Sequence, residues 1–103
     1  MSKEDTKAML LEIVALIHTF GGGILLGAFT IIQASPAKLM TNPIATYFLL
    51  VGLGFFFYNF FVIENTYDNR SGKIIYAKLR HAFETSIFTM VFLMISIFLL
   101  MLS

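Results

Sequence analysis

The sequence predicts an all-α integral membrane protein of three transmembrane helices, with the N-terminus inside and the C-terminus outside. Two observations set the class and a third sets the orientation. Hydrophobic residues make up 58% of the 103-residue chain and charged residues only 13%, whereas a soluble domain devotes about a quarter of its residues to charge. A soluble domain this small needs a polar exterior, and thirteen charges cannot supply one; the mean hydropathy is +0.86. The apolar residues gather in three runs, 10–32, 44–63 and 83–102, each near the roughly 20 helical residues that cross a hydrocarbon core of about 30 Å. Lipid cannot satisfy free backbone groups, so the runs must be helices, and alternating ten-residue segments that would signal a barrel are absent. Finally, Lys3 and Lys7 precede the first run, and Arg70, Lys73, Lys78 and Arg80 lie between the second and third, six basic residues against Lys38 alone on the other side. Basic residues favour the cytoplasmic face.

Each element has its own start and stop signals. Ser2 with Asp5 three residues on reads as a capping box, so the first helix starts well before its apolar run. That run is too long for the apolar stretch of a signal peptide and is expected to be retained. Pro36 ends the helix, because the residue before proline avoids helical geometry. Asn42 then caps a second helix with Pro43 in its first turn. Residues 65–72 are polar and turn-forming, and the third helix is expected to begin near Lys73, giving two interfacial turns before Phe83. The sequon Asn69-Arg70-Ser71 falls on the inner side and is expected to be unmodified.

Three sets of residues are candidates for function. Ala15, Thr19, Gly23 and Gly27 recur every four residues, and Ala45, Gly52 and Asn59 every seven, as ridges of small or polar residues that allow close helix approach. They serve either packing within the bundle or docking of another subunit. The triplet Gly21-Gly22-Gly23 suggests a kink or a bulky neighbour against the backbone, since each glycine costs roughly 1 kcal/mol of helix propensity. A polar belt of His18, Tyr58, Asn59, Ser86 and Thr89 is expected at one depth; polar groups inside a membrane are functional candidates by default. His18 is read as a neutral structural histidine bonded to Asn59, Tyr58 or a partner, replaceable by glutamine. A relay or ligand role is the sharper alternative. Third, Glu12, Glu64 and Glu84 mark the inner helix ends, with Arg80 and His81 beside Glu84. Imidazole and carboxylates can bind a metal, but ion pairing is the expected role, and no metal or cofactor is assigned to this chain. The aromatic run Phe55-Phe56-Phe57-Tyr58, with Phe60 and Phe61, is read as packing against lipid and partner subunits.

Several function classes are excluded. A net charge of +1 rules out a polybasic nucleic-acid binder. The absence of cysteine removes disulfides, thiolate metal sites and thiol catalysis. No nucleophile elbow, zinc-protease motif or dinucleotide fingerprint occurs. Glu12 invites comparison with small multidrug transporters, but those have four helices. The small proton-translocating subunits of respiratory complexes carry acids deep in their second and third spans, which this chain lacks. What remains is a non-catalytic subunit of a larger complex in the cell membrane, with other membrane subunits and lipid as partners. The alternative is a homo-oligomeric small transporter, or an ion-conducting subunit of a respiratory complex.

The start Met1-Ser2-Lys3-Glu4-Asp5-Thr6-Lys7, the segment Ile17-His18-Thr19-Phe20 and the glycine triplet resemble the small accessory subunits of archaeal ammonia monooxygenase, as do the length and the three-span plan. The resemblance implies a place in a copper-dependent membrane monooxygenase assembly, with copper in larger subunits and a structural role for this chain. It assigns no functional residue.

Overall fold

The structure, a computed structural model, describes residues 2–66 and 73–102. Four helices follow in order: α1 (Lys3–Ala34), the short α2 (Ala37–Thr41), α3 (Pro43–Glu64) and α4 (Tyr76–Leu102). Three of them, α1, α3 and α4, are long and apolar enough to cross a membrane. No β-strand longer than an isolated bridge residue occurs among the described residues.

The caps sit where the sequence places them. The Asp5 amide donates to Ser2 Oγ at 3.1 Å, and the Ser2 amide to Asp5 Oδ2 at 3.4 Å, closing the capping box. The Ala45 amide donates to Asn42 Oδ1 at 3.1 Å, with Pro43 opening α3. Two boundaries differ. Residues 37–41, between the stop at Pro36 and the cap at Asn42, form α2, because Pro36 supplies helical geometry at its start. The last helix begins at Tyr76 rather than near Lys73. Its first turn is displaced because the Ile75 amide donates to the Thr66 carbonyl at 2.7 Å, and Ile74 is buried as a plug between the helix ends. The sequon, Tyr67 and Arg70 lie outside the described residues.

Helix α4 lies against both α1 and α3, which touch each other more lightly. The buried positions explain the geometry. On α1 they are Leu11, Val14, His18, Gly21, Leu25 and Ala28; on α4 they include Leu79, Ala82, Ser86, Thr89, Leu93, Ser96 and Leu100. Both stripes alternate steps of three and four. That spacing averages 3.5 residues, the period of helices wound left-handedly about one another. Two apolar layers result. Leu11, Val14, Val62, Ile74, Leu79 and Ala82 fill the end near the N-terminus; Leu25, Ala28, Ala45, Leu49, Leu93 and Leu100 fill the far end.

Leu93 is the central knob of the far layer. It is fully buried, and its methyl groups lie over Gly21 of α1 and Gly52 of α3. Beside it, the Phe56 ring covers Gly22, 3.2 Å from where a Cβ would stand. Gly21 and Gly22 thus accommodate bulky neighbours within an unbroken helix.

The far end is also tied by polar contacts. Lys38 Nζ donates to the Leu100 carbonyl at 2.9 Å, and Asn42 Nδ2 to the Leu99 carbonyl at 3.2 Å. Carbonyls in the last turn of a helix have no partner within it, and a cation there also complements the helix dipole. Nearby, Ser96 Oγ donates to the Ala45 carbonyl at 3.0 Å, joining α4 to α3.

Candidate functional site

Between the two apolar layers lies a polar one. Asn59 of α3 is fully buried, and its Nδ2 donates to Thr89 Oγ1 of α4 at 2.8 Å. The Thr89 hydroxyl donates in turn to the Thr85 carbonyl at 2.8 Å, which also lies 3.4 Å from Asn59 Nδ2. Thr85 belongs to this network although the sequence reading passes over it; its position one turn before Thr89 was the available signal. Ser86 is buried on the same helix, and neither its Oγ nor Asn59 Oδ1 has a partner among the described residues.

His18 is buried but not hydrogen-bonded as the sequence suggests. Its ring stacks on Phe56, with centroids 4.3 Å apart and planes at 7°, and meets Phe60 edge-on at 4.5 Å. Neither ring nitrogen has a partner among the described residues. Asn59 and Tyr58 are engaged elsewhere: Asn59 by Thr89, and Tyr58 Oη at 3.4 Å from His81 Nε2. Tyr58 stands apart from the buried layer and is exposed on the bundle surface. It directly precedes Asn59, so the two side chains diverge by about 100° around the helix and cannot both face the core.

The small-residue ridge of α1 divides similarly. Ala15, Thr19 and Gly23 are exposed, and nothing lies within 4 Å of a Cβ placed on Gly23. Gly27 is half-buried, with Ile97 Cδ1 3.2 Å from its Cβ position. A four-residue step overshoots one turn by about 40°, so a ridge drawn every four residues winds off the contact face. Leu16, Thr19, Phe20, Gly23 and Ile24 line an open cleft on this outer side. The Thr19 hydroxyl donates to the Ala15 carbonyl at 2.8 Å, leaving the cleft without an unmet polar donor there. Gly52 is different, being buried under Leu93.

Of the charged candidates, Arg80 and Glu84 pair. Arg80 Nε lies 3.4 Å from Glu84 Oε1 along α4, while Glu12 and Glu64 are exposed on α1 and α3. Exposed pairs of this kind contribute little to stability. Among the described residues no three His, Asp or Glu side chains come together as a metal-ligand group. Phe57, Phe60 and Phe61 are exposed, whereas Phe55 and Phe56 are half-buried.

These features define a small three-helix protein of membrane-spanning character, with a buried polar layer and an open small-residue face. No family model, curated protein or solved structure matches the chain.

Proposed function

We propose that the chain is a non-catalytic, structural subunit of a multi-subunit enzyme complex in the cell membrane, of the copper-dependent ammonia or methane monooxygenase type. The observation that carries the subunit reading is the outward face of Ala15, Thr19 and Gly23, flanked by the exposed Leu16 and Phe20. Within a bilayer, helices associate through close packing and not through a hydrophobic drive. A small-residue face flanked by large side chains is the shape that receives another helix, and its one hydroxyl is already satisfied by its own backbone. The monooxygenase assignment rests on the resemblance of residues 1–7, 17–20 and the glycine triplet. Copper then belongs to the larger subunits.

Purification from native membranes in mild detergent, followed by mass spectrometry, tests the reading. Other membrane subunits in fixed stoichiometry are expected, including one with a copper site. Gly23→Leu should reduce their recovery while leaving the isolated chain folded, because the position is exposed and nothing lies within 4 Å of a Cβ there. A homo-oligomer that conducts ions would overturn the proposal. A fixed complex without copper would overturn the monooxygenase assignment alone.

A further inference from the structure

Helix α4 has a groove on each side at the end near the N-terminus, and the two differ in charge. The α1–α4 groove runs past Lys3 and Lys7 to Arg80. Two of its cations are already neutralised, Lys7 by Glu4 at 3.3 Å and Arg80 by Glu84 at 3.4 Å. The α3–α4 groove begins in a pocket of about 300 Å³ whose polar lining among the described residues is Tyr58, Asn65, Lys78 and His81, none of them a carboxylate. Among the described residues Lys78 has no ion-pair partner. Every one of these side chains can present a proton to an oxygen.

Below this pocket, toward the middle of the bundle, lies a wide apolar groove of about 530 Å³. Leu50, Val51, Gly54, Phe55 and Thr85 line it, and Tyr58 and His81, 3.4 Å apart, stand between the two cavities and line both, so the two adjoin. Gly54 keeps the groove open: nothing lies within 4 Å of a Cβ placed there. A cationic, donor-rich mouth at the helix ends thus leads into an apolar trough running along the bundle toward its centre.

We infer that the α3–α4 groove is a binding site for one anionic phospholipid, its phosphate held by Lys78, His81 and Tyr58 and an acyl chain lying along Gly54. The occupant follows from the charge and the shape together. A phosphate complements a lysine that has no ion-pair partner among the described residues, and basic pockets between helices at the cytoplasmic interface bind such headgroups. A free anion would use the mouth but not the trough, and a partner helix would not need the cation. The site is independent of the subunit face of α1 and of the identity of any complex.

The experiment uses the full chain reconstituted in phosphatidylcholine vesicles, with spin-labelled phosphatidylglycerol or phosphatidylcholine as probe. Paramagnetic resonance reads the motionally restricted lipid. Phosphatidylglycerol should be preferred about fivefold, the selectivity of roughly one lysine beside a phosphate. Lys78→Gln combined with His81→Gln should bring the preference close to parity. Arg80→Gln, on the other side of α4, should leave it unchanged. Gly54→Leu should reduce the restricted population of both lipids by filling the trough. Helical circular dichroism confirms that each variant is folded, and all four positions are exposed. No preference in the parent chain, an equal loss in Arg80→Gln, or no effect of Gly54→Leu would overturn the site. Displacement of the lipid by millimolar inorganic phosphate would reassign the mouth to a free anion.

Discussion

Leu93 and Gly52 are in closest register: a Cβ on Gly52 would stand 2.7 Å from Leu93 Cδ2 and 2.9 Å from its Cγ. Leu93 is fully buried between α1 and α3 and has nowhere to retreat. Gly52→Ala should therefore destabilise the bundle by about 1–3 kcal/mol, the usual cost of overpacking, although alanine is the better helix former. Adding Leu93→Ala should recover part of that loss, since the residues are in contact and their effects should not add. Gly54→Ala is the control with free space. Unfolding in mixed detergent micelles measures these three variants and Leu93→Ala alone, and additive losses would show that Leu93 does not hold Gly52 bare.

The polar clasp at the far end makes a separate prediction. Lys38→Met removes the donor to the Leu100 carbonyl, and should speed amide exchange in the last two turns of α4 while leaving its first turns unchanged. Asn42→Ala should cost more, about 1–2 kcal/mol, because it removes the α3 cap as well as the bond to Leu99. Hydrogen exchange read by mass spectrometry separates the two variants. Uniform exchange along α4 in Lys38→Met would mean that its end is held by packing alone.

For His18 the ring matters more than its nitrogens. A stacked or edge-on aromatic pair contributes about 0.5–1.5 kcal/mol beyond its buried area, and His18 makes two. His18→Phe should therefore be at least as stable as the parent chain, having shed two buried polar atoms without partners. His18→Gln should be less stable, contrary to what the sequence alone suggests. Greater stability of the glutamine variant in the isolated chain would restore the hydrogen-bonding role.

Orientation is checked by labelling, which the cysteine-free sequence makes clean. Single cysteines at Ser2, which caps the start of α1, and at Met40, in α2 beyond its other end, flank that helix, and Met40 is 86% exposed. An impermeant maleimide added to intact cells should label Met40→Cys and not Ser2→Cys. The reverse pattern would overturn the N-in reading.

Much of the architecture was legible because membrane helices announce themselves by length and by their caps. Ser2, Asn42 and Pro43 work locally, and local chemistry is written in adjacent residues. The partners of α4 were not legible. Which stripe of a uniformly apolar helix faces inward depends on the neighbouring helices, and a ridge of small residues every four positions looks as convincing as one alternating three and four. Thus Gly23 stood out in the sequence while Gly21 and Leu93 carry the packing. The polar layer was found in part: Asn59 and Thr89 meet, but Tyr58 follows the helical angle outward to His81, and His18 meets phenyl rings supplied by the run 55–61. Lys38 was counted for orientation, and nothing in its neighbourhood signalled a bond to a residue 62 positions away.

That separation bears on the order of assembly. The clasp from Lys38 and Asn42 cannot close until residues 99 and 100 have been synthesised and the last turn of α4 has reached those two side chains. Before then α1 and α3 form a hairpin with light mutual contact, its glycine surfaces at 21 and 52 uncovered. Insertion of α4 fills both surfaces with one side chain, Leu93, and brings its final turn under the waiting lysine. Closure of the bundle is thus a late event in biogenesis, and a nascent chain halted a few residues short would hold its three long helices together but unlatched.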